Sequence, residues 1–194
     1  MHIPAIFQLP LAIPFWVVFL IAFVHEAKIV RGAIQDQDTE QDQGTFRALM
    51  TGSSITTLAA FILAFLPLFT IPAETVSVWA GMVLIICGAV LRRACFSSLG
   101  ASFTGVVVVN PGQEVVDRGP YRFVRHPSYT AAFLMYIGLG LAMANWLSLA
   151  LLFVVHAYLY NRRVVAEEAA LLATLGEPYR HYMQRTHRFI PFLI

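Results

Sequence analysis

Apolar runs long enough to approach a bilayer's thickness, broken by short polar punctuation, set the pattern of this chain. A hydrocarbon core of about 30 Å takes roughly 20 apolar residues as a helix, and five stretches qualify as candidates. Residues 3–24 carry no charge and have Pro4, Pro10 and Pro14 near their start. The run is too long for a simple signal peptide, and it lacks a basic n-region and a small-residue cleavage site. Residues 48–73 form a second span ending near Pro67 and Pro72, and residues 75–91 a shorter third closed by Arg92 and Arg93. Residues 127–161 contain no Asp, Glu, Lys or Arg. As one helix they would reach ~52 Å, longer than a bilayer, and Ala144-Asn145-Trp146 is the natural place to turn. The run therefore reads as a helical hairpin, spans four and five. Gly81, Gly88, Gly138 and Gly140 would let helices approach closely. The pattern predicts an all-α polytopic membrane protein with about five transmembrane helices and a polar C-terminal region.

Composition sharpens this. Of the 194 residues, 58% are hydrophobic and 12% charged, against about 25% charged in a typical soluble domain; the mean hydropathy is +0.69. A soluble globule, a disordered chain and a nucleic-acid binder are excluded, since the net charge is only +2 and no basic patch gathers. Cys87 and Cys95 lie eight positions apart, about 12 Å along a helix, too far for a disulfide. There is no metal-ligand cysteine cluster. The 13 Lys and Arg residues all fall on one side of a five-span topology: after span one, after span three, or in the tail. The positive-inside rule then puts the N-terminus outside and the C-terminus in the cytoplasm. The acidic, Gln-rich stretch 35–43 reads as a solvated loop, and His25 with Glu26 as an interface pair.

Candidate chemistry gathers in two polar blocks on the cytoplasmic side. The first is residues 94–125, a mixed loop ending in Asp117-Arg118-Gly119-Pro120-Tyr121 and running on to Tyr129. The second is the tail from Arg162, which continues span five as a helix through Leu175, stops at Gly176 and Pro178, and resumes over 179–187. His156, Tyr160, Arg163 and Glu167 follow i, i+4, i+7, i+11 spacing and share one helix face. That face is either an interfacial belt with a surface ion pair or an ionisable functional site. His126-Pro127 opens span four, so His126 stands near backbone N–H groups that either receive an anion or are simply capped. His181 and His187 read as solvated, and Cys95 as core.

The run Gly119-Pro120-Tyr121-Arg122-Phe123-Val124-Arg125-His126-Pro127-Ser128-Tyr129 is followed by three more blocks. These are Glu167-Glu168, then Gly176-Glu177-Pro178-Tyr179-x-x-Tyr182, then Arg188-Phe189-Ile190-Pro191. Together they resemble the isoprenylcysteine carboxyl methyltransferase family, integral-membrane enzymes that use S-adenosylmethionine, and the compact size looks like a prokaryotic member. One departure is visible: the family usually has Gly two positions after the Tyr of HPxY, where this chain has Ala131. The resemblance divides the chain into residues 1–93, three spans, and residues 94–194, the methyltransferase region.

The resemblance implies methyl esterification of the C-terminal carboxylate of an isoprenylated cysteine, on a protein or a small prenyl-thiol acid, within the lipid bilayer. It implies S-adenosylmethionine as cofactor, S-adenosylhomocysteine as product, and no metal. Gln113, Glu114, Val115, Val116, Tyr121, His126, Pro127, Ser128, Tyr129 and Glu167 would bind the cofactor. Arg163 would meet the substrate, with Arg163 and Glu167 as the catalytic pair. The chemistry is compatible: a C-terminal carboxylate with a pKa of about 3.5 needs no base, and an Arg fork holds a carboxylate while staying charged. Glu167, one turn away, would also keep Arg163 from being an unpaired charge. Two other enzymes stand as alternatives. A phospholipid N-methyltransferase would need a base and has no use for an Arg clamp. An NADPH-dependent sterol-type reductase would need Arg118, Arg122 and Arg125 for a 2′-phosphate. A structural membrane protein would leave the polar clustering unexplained.

Overall fold

The computed structural model describes residues 2–32, 41–100, 107, 109 and 113–189. Residues 35–40 of the acidic loop, 101–106, the turn at 110–112 and Ile190-Pro191 of the last motif lie outside the described residues. The described residues form helices, with isolated bridges in place of any strand. They are α1 (Ala12–Phe19), α2 (His25–Gly32), α3 (Thr45–Leu63), α4 (Glu74–Leu99), α5 (Pro127–Ala142), α6 (Trp146–Leu175) and α7 (Glu177–Arg185). Three of these, α3, α4 and α6, are long and apolar enough to cross a membrane, and α5 is a shorter apolar helix.

The first predicted span is displaced. Its prolines hold residues 5–7 in a short 3-10 turn, and the helix begins only at Ala12. It then continues through a π-helical segment, Leu20–Val24, into α2, carrying Glu26 on the same helical run. Pro14 is tolerated because the first turn of a helix has no N–H to lose. The third span also runs past its predicted end: α4 carries Arg92 and Arg93 in its interior and stops at Gly100, whose φ is +53°. Arg92 does not end the helix because its charge is satisfied inside the protein.

The hairpin turn falls where the pattern placed it. Asn145 caps α6, its side-chain oxygen accepting from the backbone N–H of Leu147 and Ser148, each at 3.0 Å. Its amide donates to the Leu66 carbonyl at 3.1 Å, and Ile71 N–H donates to Ala144 O at 2.7 Å. The turn is thus docked on the α3–α4 connection. Helix α4 packs on α5, and α3 and α5 pack on α6. A Cβ on Gly81 would lie 2.4 Å from Ala142 N and Gly138 O, and one on Gly138 would lie 2.6 Å from Gly81 O. The predicted close approach is therefore a backbone-to-backbone contact. Ala131 is fully buried here, its carbonyl 2.7 Å from where a Gly88 Cβ would sit. The outer faces of α1, α3 and α4 expose Ile13, Ile55, Ile62, Val83 and Val90, an apolar surface suited to lipid.

Candidate active site

Arg163 is buried on the inner face of α6 and has partners from three directions. Its Nη1 meets Asp42 Oδ1 at 2.9 Å and Thr45 Oγ1 at 3.3 Å. Its Nε donates to the Tyr129 hydroxyl at 2.9 Å, and that hydroxyl donates to Glu167 Oε2 at 2.6 Å. The Phe46 ring lies under the guanidinium at 5.8 Å. The expected Arg163–Glu167 neighbourhood is thus real but indirect: the link to Glu167 passes through Tyr129, and Asp42 is the carboxylate on Arg163. The solvated reading of the acidic stretch fails at this residue, because backbone and side-chain donors surround a fully buried carboxylate. Burial pushes the Asp42 carboxyl up, but N–H groups of Phe46 and Val107 together with Arg163 outweigh it and hold it below its ordinary value.

Glu168 turns the other way. It gathers Arg125 at 3.0 Å, His126 Nε2 at 3.2 Å and Arg188 at 2.5 Å. His126 stands between the two acids, with Nδ1 3.9 Å from Glu167. Arg125 N–H and His126 N–H also donate to the carbonyls of His187 and Arg188, and Arg125 Nη1 to Met183 O, so the tail is strapped over the 119–126 segment. Sequence reasoning gave Glu168 no role. The signal was there in a second acid about 100° around the helix from Glu167, with spare cations in both flanking blocks.

One cavity of about 560 Å³ joins these parts. Gln113, Glu114, Val115, Val116, Tyr121, His126, Ser128, Tyr129, Arg163 and Glu167 all line it. Pro127 does not; it is buried in the first turn of α5, where its missing N–H costs nothing. Tyr182 donates to the Tyr121 carbonyl at 2.6 Å, and burial pushes the Tyr121 phenol above its ordinary value, which keeps it neutral. At the other end the wall is Met50, Ser53, Leu58 and Phe61 of α3 with Phe23 of the first helical run. The cavity therefore joins a polar lining, which also takes in the Glu26–Arg92 pair, to a largely apolar end along α3.

Two further residues differ from expectation. His156 leaves the functional stripe: it is fully buried, stacks on Tyr136 at 3.6 Å and turns Nδ1 to its own helix at Leu152 O. Glu26 does not pair with His25. It reaches Arg92 at 2.6 Å, and Arg92 also donates to Ser128 O at 2.8 Å and Ser128 Oγ at 2.5 Å. Of the three arginines available to a 2′-phosphate, only Arg125 lines the cavity, and it is engaged by Glu168; Arg118 donates to Ser98 O and Arg122 is exposed. Among the described residues no group of His, Cys, Asp or Glu is placed to hold a metal.

Residues 79–173, from α4 through most of α6, match the profile of the isoprenylcysteine carboxyl methyltransferase (ICMT) family. Over this segment the chain is similar to the ICMT family. It holds Arg163, Glu167, Glu168 and the Tyr121–Tyr129 block. A probable protein-S-isoprenylcysteine O-methyltransferase of Oryza sativa is 29% identical over 117 residues, 59% of this chain and 61% of its own length. The uncharacterised Bacillus subtilis protein YpbQ is 28% identical over 164 residues, 81% of this chain and 96% of its own. Among solved structures, the eukaryotic intramembrane Ras methyltransferase ICMT superposes with a TM-score of 0.64 at 27% identity, covering 73% of this chain and 52% of that one. The chain thus spans 61% of the rice relative and 52% of the solved ICMT chain, but nearly the whole Bacillus protein.

Proposed function

We propose that this protein is an S-adenosylmethionine-dependent methyltransferase that esterifies the C-terminal carboxylate of an isoprenylated cysteine, borne by a protein or by a small prenyl-thiol acid. The observation that carries the reading is the single cavity that puts a buried Arg163 between a polar end and an apolar end. A lipid-tailed carboxylate has that same shape of polarity. The polar end fits the cofactor by its donor set. Glu167 would accept from an amine or ribose hydroxyls, the Tyr121 and Tyr129 rings would offer faces to a cation, and residues 113–116 line the same space. When bound, S-adenosylmethionine supplies a methyl carbon on a sulfonium, which leaves as a neutral thioether.

The chain's own work is positioning. The carboxylate needs no base, since it is ionised at neutral pH. Arg163 orients it, Tyr129 fixes the Arg163 Nε edge, and the apolar wall of α3 takes the tail and excludes water. Alignment of two reactants is worth about 7–11 kcal/mol, enough to make this the main source of rate. The protein is read as five spans, the first being the helical run from Ala12 to Gly32. The N-terminus lies outside, the C-terminus and site in the cytoplasm, and the prenyl tail enters from the bilayer. Residues 94–194 form the methyltransferase region, completed by residues of the N-terminal spans.

The test is methyl transfer by detergent-purified protein from labelled S-adenosylmethionine. A base-labile methyl ester on N-acetyl-S-farnesyl-cysteine is expected. Transfer to the amine of phosphatidylethanolamine, with none to prenylcysteine, overturns the substrate; saturable NADPH binding without S-adenosylhomocysteine binding overturns the reaction class.

A further inference from the structure

Asp42 lies 121 positions before Arg163, outside the family match, and is fully buried behind it. Its Oδ1 accepts from Arg163 Nη1 at 2.9 Å, Val107 N–H at 3.1 Å and Thr45 Oγ1 at 3.3 Å, and its Oδ2 from Phe46 N–H at 2.8 Å. Arg163, Phe46 and Val107 line the cavity, whereas Asp42 does not. The carboxylate therefore meets the guanidinium from the side away from the cavity. Next to it, Gln41 Oε1 accepts from Val109 N–H at 3.0 Å, so residues 41–42 also hold two cavity-lining valines.

This arrangement has a chemical consequence for a carboxylate nucleophile. A charge-assisted pair with a guanidinium is strong, and oxygen lone pairs bound to a full positive charge are poor at attacking carbon. Binding energy spent on the ground state raises no rate. A second carboxylate already on the guanidinium divides its charge, so the incoming one is oriented but less firmly held. We propose that Asp42 is a positioning residue of this site: it shares the charge of Arg163, so that the guanidinium aligns a lipid-borne carboxylate without locking it in a ground-state ion pair. This rests on the carboxyl-methyl transfer proposed above and deepens it. Methyl transfer then forms the O–CH3 bond as the S–CH3 bond breaks, the electron pair goes to sulfur, and the neutral ester no longer attracts Arg163.

Asp42→Asn removes the charge and keeps an acceptor for the surrounding donors. With N-acetyl-S-farnesyl-cysteine, KM and kcat are both expected to fall, each on the order of tenfold. By calorimetry, affinity for that carboxylate rises while affinity for its carboxamide stays. Asp42→Glu returns both constants towards wild type. A residue that only holds the fold gives the opposite, a raised KM, and an unchanged or raised KM in Asp42→Asn overturns the proposal while leaving the function standing. If wild type esterifies no prenylcysteine, the function falls and Asp42 is judged by binding alone. An unchanged preference for carboxylate over carboxamide, or binding of neither by wild type, then overturns it. If Asp42→Asn does not fold, Asp42→Ser is read in the same way.

Discussion

Glu167 and Glu168 are neighbours in the chain and face different surroundings. About 100° of helix separates them, so Glu167 lines the cavity while Glu168 binds the two arginines and the histidine that strap the tail down. Removing one partner of a buried ionic cluster costs about 3–5 kcal/mol, so Glu168→Gln should lower the melting temperature sharply. Glu167→Gln should leave it nearly unchanged and weaken S-adenosylhomocysteine binding in calorimetry; the reverse pattern would exchange the two roles. Arg163→Ala should abolish turnover and leave cofactor binding largely intact, since Arg163 is assigned to the substrate; retained turnover would remove it from the mechanism. Asp42 adds a pH dependence. Its carboxyl is held low in the folded state, so its stabilisation is fully present above its unfolded value and fades as pH falls through the lowered one. Melting curves of wild type should lose stability on that acid limb, and those of Asp42→Asn should lose less. Arg163 and Glu167 were legible because one helix face holds both. Asp42 with Arg163, and Glu26 with Arg92 66 positions away, were not, because pairing across the chain leaves no local pattern.

Helices come together where side chains disappear. At Gly81 an added Cβ would meet backbone atoms of α5 at 2.4 Å, which cannot move without the helix. At Gly52 the nearest atom is the Leu159 Cδ1 at 2.9 Å, the far end of a side chain that can turn away. Gly81→Ala should therefore destabilise by about 1–3 kcal/mol and Gly52→Ala by clearly less, read as melting temperatures in one detergent. Equal effects would mean that α4 and α5 are free to separate. Glycines at helix interfaces, the turn at Asn145 and the stop at Gly176 were all readable from composition and turn chemistry, whereas Pro178 sits in the first turn of α7, which starts at Glu177 rather than 179. The end of the second span was not, since α3 stops at Leu63 rather than near Pro67 and Pro72, and neither were the helix ends at the first and third spans. There the prolines before Ala12 and the satisfied charge of Arg92 decided the boundary, and neither a delayed start nor a buried partner shows in hydropathy.

On the scale of the molecule, the two ends of the bundle differ in kind. One end carries Arg125, Glu168, Arg188, α7 and the polar mouth of the cavity. The other carries the Asn145 turn docked on the α3–α4 connection, with Glu74 as the acidic residue at the start of α4. Under the proposed function a methyl donor dissolved in water meets a carboxylate anchored in lipid at a membrane face, so the polar end is expected to face the compartment that holds the donor. The positive-inside bias predicts that this compartment is the cytoplasm. Orientation can be read with single cysteines in a background where Cys87 and Cys95 are replaced by Ala. Leu68→Cys, at a site 85% exposed by the α3–α4 connection, should react with an impermeant maleimide on intact cells. Glu177→Cys, exposed on α7, should react only in inside-out vesicles. Labelling of both from one side would remove the odd number of crossings between the two ends. The reverse pattern would place the site outside, away from the cell's own methyl donor.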